Sequence, residues 1–223
     1  RDVERSRGLG DVYKRQHYLF HAGISCFFYL GYGAFTVVLS MYCQDIGMSA
    51  SQIAYIVSFA PLLSIATQPF FGYLADKWQS PRKVSILLSF ANILCMFIFA
   101  ISRNFWILLL SSGLAVSFMN AVTPLTDRIG VSSPYQFGKI RLWGSVGYAI
   151  MAQVSGLLYQ YISPFANFMA GILGTLITII CIYMVSDPKL SEVPEKEENK
   201  LSTVVVMKEL VHNIPVSYTH LTL

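Results

Sequence analysis

Two polar stripes interrupt the strongly apolar sequence between residues 105 and 161. Each consists of three residues spaced i, i+4 and i+7, so each lies on one face of a helix. An ionisable residue that faces hydrocarbon costs roughly 2.5 to 3.5 kcal/mol, and a charge kept there usually faces a water-filled cavity or a partner. The stripes therefore predict a polar binding site inside a membrane. They are Asn120, Pro124 and Asp127, followed by Arg141, Ser145 and Tyr148.

The residue types in these stripes suit a polyhydroxylated ligand. A guanidinium and a nearby acid, such as Arg141 and Asp127, can hold neighbouring hydroxyls through charge-assisted hydrogen bonds. An aromatic face such as that of Tyr148 covers the apolar side of a sugar ring or a base. Tyr29 is a weaker candidate, because an aromatic residue in an apolar helix more often packs than binds. The alternative is that both charges snorkel to the headgroups, with Trp143 as an interfacial anchor.

The composition places the chain in a membrane. Of its 223 residues, 54% are hydrophobic and only 13% are charged, and the mean hydropathy is +0.53, which is too apolar for a soluble domain of this length. The formal charge of +4 does not indicate a nucleic-acid partner, because five of the sixteen basic residues lie in the first sixteen positions. The four cysteines have no paired spacing, so neither a disulfide framework nor a metal site is expected.

Six apolar segments are long enough to cross a bilayer, which requires about 20 helical residues. We therefore predict an all-α polytopic membrane protein with six transmembrane helices. Ser49 or Ser51 is the expected N-cap of the second helix, which contains Pro61 and Pro69 and should bend. Gly138, Gly144 and Gly147 are expected at close helix contacts. The predicted segments are 17–42, 53–75, 84–102, 105–126, 139–161 and 164–186.

Positive charge is distributed unevenly among the links between these segments. The links after the first, third and fifth segments carry only Arg103. By the positive-inside rule, both termini are expected in the cytoplasm, with the chain in a plasma or inner membrane. The links after the second and fourth segments, together with the first residues of the fifth segment, carry Lys77, Arg82, Lys83, Arg128, Lys139 and Arg141.

The sequence also predicts how the chain divides. Residues 1–16 and 214–223 resemble translated sequencing-adapter sequence, and both are expected to be artefactual tails. Residues 17–186 are the expected six-helix bundle. Residues 187–213 are the expected cytoplasmic linker, polar at first and then amphipathic from residue 201 to residue 213.

One loop resembles a signature of the major facilitator superfamily. Gly72-Tyr-Leu-Ala-Asp76-Lys77, followed by Arg82-Lys83, is similar to the family's Gly-x-x-x-Asp-Arg/Lys loop between helices two and three. The resemblance implies that this loop gates transport. Gly72 would permit close helix packing, and Asp76 would pair with a basic residue across the cytoplasmic face. The family's glycine after this motif is replaced here, at Gln79-Ser80-Pro81, in a loop about one residue longer.

Within that superfamily the chain resembles the sugar and nucleoside proton symporters related to lactose permease. The similar motifs include Gln68-Pro69-Phe-Phe71-Gly72, Asn120-Ala-x-x-Pro124-x-x-Asp127 and Arg141-Leu-Trp143-Gly144-Ser145-Val-Gly147-Tyr148. The resemblance covers residues 17–212, the amino-terminal half. It implies a sugar or nucleoside substrate, protons as coupling ions and a carboxy-terminal half that carries most proton-coupling residues. It also implies that Arg141 and Asp127 bind substrate hydroxyls, that Tyr148 stacks on a ring and that Ser145 lines the pocket.

Other functions fit the sequence less well. A drug-efflux antiporter of the same superfamily would be expected to carry a Gly-Pro-rich fifth segment, yet residues 139–161 contain no proline. A receptor, channel or membrane enzyme would need a ligand domain, a pore loop or a set of catalytic residues, and no such set is evident. His21 lies inside the first predicted span and is expected to pack. We therefore expect neither enzymatic activity nor a cofactor.

Overall fold

A computed structural model of the chain describes residues 2–185 and residue 187, with side chains from residue 16 onward. All regular secondary structure in this part of the chain is α-helical. The expected linker and C-terminal tail, apart from Asp187, lie outside the described residues. The helices are α1 (Asp2–Thr36), α2 (Leu39–Asp45), α3 (Ala50–Lys77), α4 (Pro81–Ile101), α5 (Phe105–Val131), α6 (Phe137–Tyr161) and α7 (Pro164–Met184).

Local sequence signals explain where most of these helices begin. Of the two serines that the sequence offers as caps, Ser49 caps α3 and forms a capping box with Gln52. Ser80 and Ser163 accept hydrogen bonds from backbone N–H groups at the starts of α4 and α7, and each is followed by a proline in the first turn. Asn104 caps α5 in the same way. The helix starts are therefore set by short capping motifs.

Within the described residues, five stretches are long and apolar enough to cross a membrane. The helix α6 has 25 residues and is also long enough at 1.5 Å per residue, but it is not one of these five stretches. It packs along α1 and so occupies the place that the sequence predicts for the fifth span. The chain is therefore a multi-pass membrane protein. The five stretches are Gln16–Asp45, Ala50–Lys77, Pro81–Ile101, Phe105–Val131 and Pro164–Met184.

The bundle is built around α1 and α5. The helix α1 packs mainly on α6 and α7, whereas α5 packs on α3 and α4, and α4 also contacts α7. A cluster of aromatic rings joins the two groups, with Phe35 of α1 at 5.1 Å from Phe99 and 5.9 Å from Phe168 between ring centroids. Tyr42 completes the cluster and donates a hydrogen bond to the carbonyl oxygen of Ala100. This apolar core holds α1, α2, α4 and α7 together.

The largest differences from the predicted segments are in α1 and α5. Helix α1 already begins at Asp2, ahead of the predicted start at His17, and it breaks after Thr36 before α2 resumes at Leu39. Helix α5 continues to Val131 instead of ending near Thr126. A basic residue in the last turn, here Arg128, stabilises a helix C-terminus, so the charged residues at this end do not terminate the helix.

Close contacts at two glycines of α6 set the distance between α6 and α1. A Cβ atom on Gly147 would lie 2.1 Å from the carbonyl oxygen of Cys26, and one on Gly144 would lie 2.7 Å from the ring of Tyr29. The prediction of close packing is confirmed for these two residues. It is wrong for Gly138, where a Cβ atom would meet no described atom within 4 Å.

Candidate functional site

Arg141 lies between an acid and an aromatic ring. Its Nε atom is 3.7 Å from Oδ1 of Asp127, and its guanidinium carbon is 4.4 Å from the ring centroid of Tyr29. The first distance makes an ion pair but is too long for a hydrogen bond. Among the described residues, no group accepts a hydrogen bond from this guanidinium, which retains its five N–H donors. The guanidinium of Arg141 is therefore held in place, while its N–H groups have no acceptor among the described residues.

These residues come from three helices. Asp127 lies near the end of α5, Arg141 lies in the first turns of α6, and Tyr29 lies on α1. Gly144, one turn after Arg141, has no side chain and leaves room for the Tyr29 ring against α6. The Arg-x-x-Gly spacing on α6 thus brings the ring over the guanidinium, and the cation–π contact restrains the arginine.

A cavity of about 410 Å³ opens in front of Arg141. The hydroxyl of Ser145 and the ring of Tyr148 line it together with the guanidinium, so the whole predicted stripe on α6 faces one space. Asp127 does not line the cavity and lies behind Arg141. The full lining is Tyr29, Tyr32, Arg141, Gly144, Ser145 and Tyr148.

Asn120 lies away from this cavity but is connected to it. Its side-chain oxygen accepts a hydrogen bond from the hydroxyl of Tyr32 at 3.4 Å, and its amide nitrogen donates to Ser64 at 3.0 Å. It lines a second cavity of about 210 Å³. Because Tyr32 lines both cavities, it joins the two stripes.

Tyr32 is the residue that the sequence analysis did not single out. It follows Tyr29 by three positions and so lies on the same face of α1. That spacing was available in the sequence. An aromatic pair in an apolar helix resembles ordinary core packing, however, and only the position of α6 distinguishes these tyrosines from core residues.

Asp76, the acid of the loop signature, forms an ion pair with Arg128, which lies next to Asp127. Oδ1 of Asp76 accepts a hydrogen bond from Nη1 of Arg128 at 2.6 Å. Arg128 follows Asp127 directly, so it contacts the loop instead of being left to the lipid headgroups. The pair joins the end of α3 to the end of α5, at the face that carries most of the basic residues.

The other residues of this loop have different surroundings. Arg82 donates to the carbonyl oxygen of Tyr183 at 2.5 Å and lies over its ring, which ties the loop to the end of α7. Lys77 lies in the last turn of α3, and Lys83 lies in the first turn of α4. The expectation that Gly72 permits close packing is wrong for the described residues, because a Cβ atom there would meet nothing within 4 Å.

His21 is packed, as the sequence predicts. It is 4% exposed, and its ring lies edge-on to Tyr135 with 5.8 Å between centroids. No group of three or more His, Cys, Asp or Glu side chains in the described part of the chain is arranged to hold a metal ion.

Comparison with known proteins identifies similar chains. The chain is 28% identical over 155 residues to the maltose permease of Geobacillus stearothermophilus, a match that covers 66% of the chain and 39% of the permease. It is 26% identical over 158 residues to the raffinose permease of Escherichia coli, covering 66% of the chain and 37% of that protein. The quinolone resistance protein NorA of Staphylococcus aureus is 28% identical over 191 residues, which cover 82% of the chain and 49% of NorA.

The chain spans about two fifths of the length of the two sugar permeases and about half of NorA. A family comparison gives a match over residues 19–218, which is most of the chain, to the MFS_1 like family. The six helical spans described above agree with one half of a major facilitator bundle. The chain therefore belongs to the MFS_1 like family of the major facilitator superfamily.

Proposed function

We propose that this chain is the amino-terminal half of a secondary transporter that binds a sugar in the cavity in front of Arg141. The observation that carries the proposal is the guanidinium itself, which lies between Asp127 and Tyr29 and donates no hydrogen bond to any of the described residues. Several charge-assisted hydrogen bonds to sugar hydroxyls would satisfy these donors. Tyr148 would cover an apolar face of the ring.

Sugar is favoured over nucleoside as the substrate class. Two of the relatives named above are sugar permeases, and none of the three is named for nucleosides. A neutral polyol also fits a site in which the acid is already paired with the arginine. The resemblance to proton symporters supplies the coupling ion, so we propose proton-coupled sugar symport.

Transport would proceed by alternating access between two halves. The helices α3 and α6 leave large apolar side chains exposed, including Ile65 at 73% and Leu142 at 63%. We propose that the carboxy-terminal half of the same protein covers part of these faces and completes the substrate site near the membrane midplane. The Asp76–Arg128 pair would then break and re-form as the halves rock. The basic face would lie in the cytoplasm of a cell with this protein in its plasma membrane.

Drug efflux is the second candidate function. It is favoured by the long match to NorA and by an apolar groove of about 360 Å³ between α3 and α5, lined by aromatic residues including Tyr55, Phe59 and Trp106. Such a groove suits a lipophilic molecule better than a sugar. The cavity at Arg141 argues against this candidate, because a cation at its wall would repel the lipophilic cations that many efflux systems expel.

Uptake by the full-length protein in proteoliposomes separates the two functions. We expect saturable uptake of radiolabelled maltose or raffinose that stops when an imposed proton gradient is dissipated. Residues 17–213 alone should show no uptake. Extrusion of a lipophilic cationic dye without uptake of either sugar would contradict sugar transport and support efflux.

A further inference from the structure

Tyr32 presents a second polar group to the cavity in front of Arg141. Its ring lies 6.3 Å from the ring of Tyr29 between centroids, and the guanidinium lies over that neighbouring ring. The side chain of Tyr32 is only partly buried and lines the cavity, so a ligand there can contact it. Whether its hydroxyl donates to a ligand or accepts from it depends on where the hydroxyl proton lies.

Three hydrogen bonds in sequence fix the position of that proton. Oγ of Ser64 donates to the carbonyl oxygen of Ala60 at 2.8 Å, and a hydroxyl has one proton, so Ser64 can only accept from Asn120. The amide nitrogen of Asn120 therefore points to Ser64, at 3.0 Å, and its oxygen points to Tyr32. An amide oxygen carries no proton. Tyr32 is thus the donor in the contact of 3.4 Å with Asn120.

Tyr32 therefore offers only lone pairs to a ligand, whereas Arg141 offers only N–H donors. The hydroxyls of Tyr29, Ser145 and Tyr148 make no hydrogen bond to the described residues, so each can still donate or accept. Tyr32 is then the lining residue whose hydroxyl has its proton committed within the protein. A ligand that satisfies both Arg141 and Tyr32 has to accept hydrogen bonds at one and donate a proton at the other.

We propose that Tyr32 is a specificity-determining residue of this site, which accepts a hydrogen bond from the substrate and so selects hydroxyl groups over groups that only accept. The proposal rests on the proposed sugar transport. A carboxylate or an ether oxygen would satisfy Arg141, but it would place a second oxygen without a proton against Tyr32. Asn120 and Ser64 do not line the cavity and are positioning residues, because they hold the proton of Tyr32 away from the ligand.

Substrate analogues distinguish an acceptor from a donor in the protein. A deoxy analogue replaces one hydroxyl by hydrogen, and a fluoro analogue replaces it by fluorine, which accepts weakly but has no proton to donate. Titration calorimetry on the full-length protein would use maltose or raffinose, whichever binds, and analogues altered at one hydroxyl at a time. At the hydroxyl that meets Tyr32, both analogues should bind more weakly by a similar factor of about threefold to tenfold, the range for a lost hydrogen bond. At a hydroxyl that only accepts from Arg141, the fluoro analogue should bind better than the deoxy analogue.

Tyr32→Phe connects this loss to the residue. The variant removes the acceptor and keeps the ring, so it should bind the sugar about threefold to tenfold more weakly. It should also abolish the further loss at the one hydroxyl that meets Tyr32. Tyr42→Phe is the matched control, because the hydroxyl of Tyr42 also donates to a protein acceptor, the carbonyl oxygen of Ala100, but Tyr42 does not line the cavity. Its affinities for the sugar and for every analogue should equal those of the parent.

Ser64→Ala tests the positioning chain. It removes the acceptor of the Asn120 amide, so Asn120 is free to turn an N–H group to Tyr32, whose proton is then available to the ligand. At the same hydroxyl, the fluoro analogue should therefore bind better than the deoxy analogue, unlike in the parent. Ser117→Ala is the matched control, because it also breaks a hydrogen bond between α5 and α3, with Thr67, but one that does not lead to Tyr32. It should keep the equal losses of the parent.

The outcomes separate this proposal from the proposed function. If a sugar binds but no hydroxyl shows equal losses for its deoxy and fluoro analogues, Tyr32 is not an acceptor for the ligand, and sugar binding stands. An unchanged affinity and analogue profile for Tyr32→Phe would have the same meaning. An unchanged profile for Ser64→Ala would overturn the positioning roles of Ser64 and Asn120. Binding of neither maltose nor raffinose would overturn the proposed function, and this proposal with it.

Discussion

Asp76 at the end of α3 and Arg128 at the end of α5 form an ion pair with 2.6 Å between the charged atoms. The residue before Arg128, Asp127, is paired with Arg141 on α6. Two consecutive residues of α5 thus connect the loop signature to the wall of the cavity. A movement of this end of α5 would act on both pairs, which gives the proposed gate a direct mechanical link to the proposed site.

The Asp76–Arg128 pair is expected to contribute little to stability. Its side chains are 63% and 37% exposed, and pairs of this kind contribute about 0 to 1 kcal/mol. In a double-mutant cycle with Asp76→Asn and Arg128→Gln, we expect a coupling energy in that range for unfolding, and a smaller one at high salt. Transport by the full-length protein should fall more than stability. A coupling energy of several kcal/mol would instead assign the pair a structural role.

The guanidinium of Arg141 should be essential for ligand binding, beyond its charge. Arg141→Lys keeps the charge but removes the planar fork that can hold two oxygens. We expect it to weaken sugar binding to the full-length protein by about 1.5 to 3 kcal/mol, the scale for hydrogen bonds to charged groups. Asp127→Asn should weaken sugar binding as well, because it removes the ion pair with Arg141 and so leaves the guanidinium less well positioned.

Equilibrium binding on purified variants checks this prediction, and Lys139→Arg serves as the control. Lys139 lies about half a helical turn before Arg141 on α6 and does not line the cavity. If Arg141→Lys binds as tightly as the parent, the charge alone suffices and the site on α6 has to be abandoned.

The contact between α1 and α6 should not tolerate a side chain at Gly147. A Cβ atom there would lie 2.1 Å from the backbone of Cys26, so Gly147→Ala must separate the two helices. Gly156→Ala on the same helix is the matched control, since a Cβ atom there meets no described atom within 4 Å. Replacing a helical glycine by alanine otherwise stabilises by roughly 0.5 to 1 kcal/mol.

In thermal unfolding experiments in detergent, Gly147→Ala should therefore have a lower unfolding midpoint than the parent protein. Gly156→Ala should have an equal or higher one. Equal midpoints for the two variants would contradict the close helix contact.

The loop between α3 and α4 carries a strained residue that glycine would relieve. Gln79 has a φ of 48°, in the left-handed region, which costs an L-residue roughly 1 to 2 kcal/mol. Gln79→Gly should raise the unfolding midpoint, although part of the gain is lost to the greater freedom of glycine in the unfolded chain. Gln79→Ala keeps the strain and should not raise it. A lower midpoint for Gln79→Gly than for Gln79→Ala would refute this account.

Cysteine labelling tests the orientation in the membrane. In a variant without the four native cysteines, Arg103→Cys should react with a membrane-impermeant maleimide in intact cells. Gln79→Cys should react only after permeabilisation, because the positive-inside rule places the basic face in the cytoplasm. Both positions are exposed in the bundle, so accessibility does not distinguish them. The opposite labelling pattern would reverse the proposed topology.

Much of the fold is readable from the sequence, because its signals are local. The fifth segment is predicted at residues 139–161 and observed as Phe137–Tyr161, and Ser49 caps α3 as expected. Apolar length and capping motifs act within a few residues of the chain, so they do not depend on the rest of the structure. The stripe spacing likewise placed Arg141, Ser145 and Tyr148 on one helix face, and all three line one cavity.

The contacts between helices were decided only by the tertiary structure. The sequence offered several basic partners for Asp76, and the structure selects Arg128, which is 52 residues away. It also brings Tyr32 between the two cavities and leaves Gly72 without a close neighbour among the described residues. Spacing along a helix determines which residues share a face. The rotation and axial offset of each helix determine what that face meets, and these are set by packing across the whole bundle.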